Sequence, residues 1–465
     1  VIGNTNLGGQ DNVFNVGNAT ATCSGLTMLN SSDASRRSIL RINNGSFTVN
    51  GNVNYSAGNQ EQRRRVEING SGSFTINGTV SNVATLALSN ESTVTYNNTG
   101  FNNIAAANYG NLIVNGEGQK NIGTFSGSRT IINLTVSGGA NLNLSNNYTV
   151  TGILAFNNGV VTTNANTLEL GADATISGDF GAANHINLSG RGSLIKRSNT
   201  VDGFRMVYPI GAAGAYTPFV LDSLEANLGG TPGTSFIELQ VHGVRHAVAT
   251  GIGNALNRFW RVRTGNITGI TKAAYYFQYA ESDVPTGVLE TSLDRVANIS
   301  TTGWAVNPAG ASVNHTTNRI WLNSPNTLLN GDWTLGITAA FPPVIPFVYT
   351  VQNGNWSTNS VWSNNQVPGA NTDILIQHAL DNPPNNATAN DIIIAASGSL
   401  TIRQNSFIAN GKCDVFGALF DAHSGGSNNF RGKFTLHPEG LVNFSGSGGG
   451  ANFTFFDDVE INGTL

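Results

Sequence analysis

Residues 35–53 read SRRSILRINNGSFTVNGNV and residues 62–80 read QRRRVEINGSGSFTINGTV. Superposed without a gap, 27 residues apart, they set arginine on arginine and bring the frame F-T-[VI]-N-G-x-V onto itself. Either a low-complexity sequence has repeated by chance, or the repeat is the rung of a stacked structure. Self-similarity at intervals of about 20–50 residues marks solenoids, in which a coil that cannot bury its own apolar face shares a core with its neighbours. On that reading the two segments are successive coils, with Phe47 over Phe74 and Val49 over Ile76.

A shorter unit, apolar-x-Gly-x-apolar, supports the stack. It recurs at Val49–Val53, Ile76–Val80, Val150–Leu154, Val415–Leu419 and Ile461–Leu465. The two apolar residues point into a core and the glycine between them takes a corner conformation that a Cβ would disfavour. Short alternating runs such as NLIVNGEG (111–118) and NLTVSGGANLNLSNN (133–147) end in Gly or Asn, as strands with tight turns do. Stacked asparagines at the corners hydrogen-bond along the axis.

Composition points the same way. The chain has 465 residues, 39% hydrophobic but only 11% charged, with 56 glycines. Asn, Gly, Ser and Thr weaken helices and serve turns, so the whole chain is read as all-β. Near residue 200 the strands lengthen and gain aromatics, as in FRMVYPIGAAGAYTPFVLDSL (204–224) and KAAYYFQYAESDV (272–284). That texture fits an antiparallel β-sandwich. The expected order is a β-solenoid over 1–200, a β-sandwich over 201–340, a Pro-rich linker over 341–348 and a second, incomplete β-solenoid over 349–465.

The net charge of −4 offers no general attraction to nucleic acid. No apolar run is long enough for a membrane span. Cys23 and Cys413 cannot form a dense disulfide framework and are expected to be independent and buried. The chain begins at Val1 and its last residues reproduce the corner unit, so it is expected to be a middle section of a longer protein.

The stretch GNWSTNSVWSNNQVPGANTDILI (354–376) resembles the segment that opens repeats in very large, repetitive surface proteins of the Bacteroidota exported by the type IX secretion system. Trp356, Trp362, Pro368, Asp373, Ile374 and Ile376 carry the likeness. NYGNLIVNGEGQKNI (108–122), YPIGAAGAYTPFVL (208–221) and GDWTLGI (331–337) are similar to stretches of the same proteins. The family's C-terminal sorting domain is not seen. The resemblance implies an extracellular, cell-surface segment, structural and adhesive, serving gliding motility, prey capture or biofilm. It also implies that Ser223, in the motif DSL at 222–224, is a candidate O-glycosylation site. The alternative from another class is a secreted carbohydrate-binding or polysaccharide-degrading β-helix, which needs clustered acids or exposed aromatics in a groove.

The residues give catalysis little to work with. The densest acids are Glu281 with Asp283, and Asp457 and Asp458 with Glu460. Adjacent acids on a strand face opposite sides. His242 and His246 in HGVRH would lie about 13 Å apart on an extended strand, too far to share a metal. No catalytic residue, metal site or cofactor is expected. Tyr275, Phe277 and Tyr279, with Trp260, Trp304, Trp321 and Trp333, read as core; Trp356 and Trp362 read as a cap on the second solenoid. The abundant N-x-[ST] sequons follow from composition. Stacking gathers Arg36, Arg37, Arg63, Arg64 and Arg65 into a basic stripe, either neutralised by Glu61 and Glu67 or solvent, or contacting an acidic glycan or a neighbouring chain. Homo-oligomeric or lateral association in a filament is the expected assembly, with glycans or other cells as partners.

Overall fold

The computed structural model describes residues 11–30, 36–56, 63–82, 84–125, 127–188, 191–251, 253–300, 303–341, 347–381, 383–384, 386–403, 406–422, 426–437, 440–444 and 451–465. The protein is all-β, 54% strand and 4% helix, with a β-solenoid of about 18 turns and an antiparallel sheet. Two compact units divide it. One comprises residues 1–241, 262–278 and 323–329, the other 242–261, 279–322 and 330–465. The 201–340 stretch is therefore shared between them.

In the first unit each coil begins on three parallel faces. One face is built from Asn12–Gly17, Ser38–Ile42, Arg64–Ile68 and Thr85–Leu88. The next runs from Thr20–Cys23 through Ser46–Val49, Ser73–Ile76, Thr93–Asn97 and Tyr109–Asn115 to Arg129–Leu144 and Ile153–Thr162. The third holds Leu26–Met28, Val53–Tyr55 and Val80–Ser81. Phe47 lies over Phe74, ring centroids 6.1 Å apart and nearly parallel, and Val49 lies over Ile76. All four side chains are buried.

The repeat is not gapless in space. Ser46–Val49 pairs with Ser73–Ile76 at an offset of 27, seen in the Asn77–Asn50 bond, but Ser38–Ile42 pairs with Arg64–Ile68 at 26, seen in the Arg41–Glu67 bond. The turn Asn69–Gly72 is one residue longer than Asn43–Gly45 and absorbs the difference. Because side chains alternate along a strand, one residue of slip exchanges the inner and outer faces.

The corner glycines have a different cause from the one their pattern suggests. None of Gly51, Gly78, Gly152, Gly417 and Gly463 lies in the left-handed region. Instead, a Cβ on Gly78 would meet the Gly51 carbonyl at 2.4 Å, and one on Gly417 would meet the Ala395 oxygen at 2.2 Å. Adjacent coils approach so closely at the corner that only hydrogen fits.

At and beside the corners the coils are tied by side-chain amides. Asn77 Nδ2 donates to Asn50 Oδ1 at 3.1 Å, Asn97 to Asn77 at 2.9 Å, Asn115 to Asn97, and Ser137 Oγ to Asn115 Oδ1 at 2.8 Å. The result is an unbroken ladder over five coils.

Beyond Ser193–Ser198, which pairs antiparallel with Ser235–His242, the texture changes. Met206–Tyr208, Phe219–Leu228 and Ile267–Gln278 form an antiparallel sheet whose buried face holds Phe219, Tyr275 and Phe277. Tyr279 is buried as well, as the alternation leads one to expect.

The second unit contains an antiparallel sheet of Arg295–Ser300, Gly303–Val306 and Gly331–Gly336, and a second three-sided coil stack. Its faces run from Val348–Tyr349 to Val459–Ile461, from Gly354–Asn355 to Leu441–Phe444, and from Ala387–Ala389 to Ala451–Phe455. Trp356 and Trp362 meet edge-to-face at 5.2 Å in the first coil, and Trp362 Nε1 donates to the Trp356 oxygen at 2.8 Å. Both are buried, as a cap requires. Below them Phe407, Phe430 and Phe455 continue an aromatic column. Of the linker, residues 342–346 lie outside the described residues. Within this unit Val248 and Ile299 pack with Leu375 and Ala395, joined by Phe347 and Tyr349.

Candidate functional site

The arginine stripe is built on the first face of the first coils. In Ser38–Ile42 and Arg64–Ile68 the inward positions are Ser38, Leu40, Ile42, Arg64, Val66 and Ile68, all buried, so Arg41, Arg65 and Glu67 point outward. Arg41 Nε donates to Glu67 Oε2 at 2.8 Å, and Arg65 Nε lies 2.9 Å from Oε1. One carboxylate thus sits between two guanidinium groups, each about one-third exposed. The paired charges stabilise the stack by at most about 1 kcal/mol in such exposed positions.

The five expected arginines do not share one surface. Arg64 is 1% exposed and lies over Ser38 inside the coil, not over Arg37. The turn insertion at Asn69–Gly72 is the reason. Arg64 is close enough to Tyr55 to oppose the upward push that burial exerts on that phenol. Arg37 is exposed, and its backbone N–H donates to Asp11 Oδ1 at 2.8 Å; Arg36 and Arg63 are half-buried. Glu61, one of the carboxylates considered for this stripe, lies outside the described residues. Arg41 was missed because the gapless alignment sets it opposite Ile68.

Ser223 is half-buried at a β-bulge. Leu221 pairs with Tyr275 and Ser223 with Ala274, which leaves the exposed Asp222 as the extra residue. Bulges re-aim side chains, and this one presents the Asp222–Ser223 pair where Met206–Tyr208 no longer pairs.

The two histidines of HGVRH are closer than an extended strand allows. The strand ends at His242 and the chain bends, so both imidazoles contact the Phe259 ring, at 4.5 and 4.7 Å between centroids. His246 Nδ1 accepts the Val248 N–H at 3.3 Å, which puts the proton on Nε2, 3.0 Å from Asp332 Oδ2. Arg261 clamps the same carboxylate through Nε at 2.6 Å and through its Nη2. Burial alone would raise the Asp332 pKa, but Arg261 and His246 outweigh it and hold the carboxyl far below its ordinary value. Burial dominates at His246 and lowers its pKa, consistent with a neutral ring that both accepts and donates. Each of the three side chains is at most 6% exposed, and the Asp332 carboxylate is engaged by both His246 and Arg261, while Arg261 Nη1 is left buried without a hydrogen-bond partner. It lies within a buried core.

Other titratable groups pair locally: on the second stack Lys433 Nζ lies 2.7 Å from Glu460 Oε2 and His437 Nε2 lies 2.9 Å from Asp414 Oδ1. Asp283 is buried against Arg258, whose Nε donates at 2.6 Å, whereas Glu281 is exposed and accepts from Asn318. Lys120 and Lys196 are turned inward, a feature no sequence signal marked. The Lys120 ammonium reaches the Gly100 and Gly116 oxygens at 2.6 and 3.1 Å, and Lys196 reaches those of Gly171 and Ala172 at 2.8 Å each. Burial pushes the Lys196 pKa down to about 8. Cys23 is half-buried and not fully enclosed, Cys413 is buried, and both are free thiols. Among the described residues no group of three His, Cys, Asp or Glu side chains is arranged to hold a metal ion, and no helix is long and apolar enough to cross a membrane. No protein family, curated protein or solved structure matches the chain.

Proposed function

We propose that the chain is a structural and adhesive segment of a large extracellular filament on a bacterial cell surface. The observation that supports it is the unbroken amide ladder Asn50–Asn77–Asn97–Asn115–Ser137. Each coil satisfies polar groups of the next and adds about 4.8 Å along the axis, so such a stack gives reach and stiffness from repetition alone. The sequence resemblance carries the rest of the reading: export by type IX secretion in a member of the Bacteroidota, and contact with surfaces or other cells in gliding, prey capture or biofilm. Sparse charge leaves the flanks open to lateral association with sister chains. Arg36, Arg37 and Arg63, beside the Arg41–Glu67–Arg65 cluster, are the proposed contact for acidic glycans or a neighbouring chain, and Ser223 the proposed site of a sugar. This reading needs no cofactor and no catalysis.

The test is immunolabelling of intact cells with and without the gene, combined with an attachment assay. Filaments that carry the label, and that vanish with attachment when the gene is deleted, are expected. A soluble protein absent from the surface would overturn the reading.

A further inference from the structure

The first face of the first unit stops before its neighbour does. Thr85–Leu88 is the last strand of its sheet, whereas on the adjacent face Thr93–Asn97 is followed by Tyr109–Asn115 and further strands. Where the next coils pass, the chain at Ala105–Asn108 and Gly123–Phe125 forms no strand. A groove of about 730 Å³ opens at this step, bounded by Thr85–Leu88 on one side and by Ala107, Phe125 and Arg129 on the other.

Three features of the groove match an added strand. Leu86 and Leu88 continue the core column of Val66 and Ile68, which are fully buried, yet the two leucines are half-exposed, and no described strand pairs beyond them. The Ser89 N–H donates to the Ile68 oxygen at 3.0 Å. In a parallel ladder that bond fixes the alternation, so the N–H and C=O groups of Leu86 and Leu88 face away from Arg64–Ile68 and toward the groove, where no described strand takes them up. Lastly, the Arg129 guanidinium lies 5.0 Å over the Phe125 ring, its buried Nε has no hydrogen-bond partner, and it has no ion-pair partner among the described residues. Its ladder neighbour Tyr148, 1% exposed and edge-on to Phe125, also has an unpartnered hydroxyl.

We infer that this groove binds one extended peptide segment of a partner protein, added as a strand to the edge of Thr85–Leu88. Alternate apolar side chains of the segment cover Leu86 and Leu88, its backbone pairs with their outward N–H and C=O groups, and a carboxylate reaches Arg129. Edge addition derives affinity from main-chain hydrogen bonds and specificity from alternate side-chain pockets. A sugar would use the donors but leave the two leucines uncovered. The uncompensated cation selects an acidic segment. The inference stands on this groove alone and does not depend on the surface-filament reading.

The experiment selects a displayed library of short random peptides on the full chain. Leu88→Lys, which places a charge on the open edge, and Arg129→Gln serve as counter-selections, both checked for unchanged circular dichroism. Enriched peptides are expected to alternate apolar residues and to carry an Asp or Glu. They should slow hydrogen exchange at the Leu86 and Leu88 amides, lose binding to Leu88→Lys, and bind Arg129→Gln about tenfold more weakly. No enrichment, enrichment without alternation, or binding that leaves those two amides unprotected would overturn the inference. So would self-association of the protein through this edge, abolished by Leu88→Lys, or displacement of the peptides by an acidic polysaccharide.

Discussion

The two coil stacks solve one problem with different side chains. In the first, adjacent coils are tied from outside by the amide ladder through Asn77 and Asn97, over a core in which aliphatic columns such as Val49–Ile76 dominate. In the second, the tie is an aromatic column, Trp356–Phe407–Phe430–Phe455, buried except at the exposed Phe455, with ring centroids 5.5 to 6.3 Å apart. Both need bare glycine at the corner, since Gly78 and Gly417 meet neighbouring backbone at similar distances. Coil spacing is set by the backbone and is common to both. What fills or fastens the coil is free to differ, and that freedom shifts the weight of stability from polar exterior to apolar interior.

The comparison is broken most severely by removing the tryptophan at the head of the second column. Trp356→Ala leaves a cavity beside Trp362 and Phe407, and is expected to destabilise its stack by about 3–5 kcal/mol. Hydrogen exchange should accelerate across Ile374–Leu436 while Ser46–Leu144 keeps its protection. Equal loss in both stretches would refute the assignment of the column as a local tie.

Acid comes next, through His246 and Asp332 in the second unit. The His246 pKa is lowered in the fold, so the unfolded chain takes up the proton first, and stability present at neutral pH falls as the pH drops through the ordinary histidine value. The depressed Asp332 carboxyl acts in the same direction at lower pH, where the unfolded chain is protonated and the fold still holds the anion against Arg261. Exchange across Arg295–Ser300 and Gly331–Gly336 is expected to accelerate between neutral pH and pH about 5, after correction for intrinsic rates, and His246→Gln should flatten that first step. A fold equally protected at both values would contradict the neutral-ring assignment.

The smallest expected effect sharpens the comparison from the other side. Asn77→Ala removes two rungs of the exterior ladder, the bonds to Asn50 and Asn97, and should destabilise the first stack by about 1 kcal/mol because the amides are solvent-exposed. A midpoint shift in denaturant without a change in slope would measure it. Losses above those of Trp356→Ala would invert the account.

Much of the coil was legible before any coordinates. The pairing of Phe47 with Phe74, the positions of the corner glycines though not their cause, the inward face of Tyr275 and Phe277 and the Trp356–Trp362 cap all follow from spacing and alternation, which are local properties. The candidate basic surface was legible only in part. The arginines were visible, but the inner or outer fate of each depended on one extra residue in the turn Asn69–Gly72, some residues downstream, and alternation amplified that single insertion into a reversal of faces. The groove beside Thr85–Leu88 had no sequence signal at all, because it arises from strands that a later coil does not form.

By itself, then, the sequence determined the class and the rung: low charge, abundant Gly and Asn and a repeated F-T-[VI]-N-G-x-V line leave stacked parallel β as the arrangement that satisfies backbone and core together. Only the tertiary structure decided the offset between coils, the burial of Arg64, the bend that brings His246 to Asp332, and the place where one face ends. Those depend on contacts between residues far apart in the chain, whose energies are settled by packing and desolvation in three dimensions and have no counterpart in local pattern.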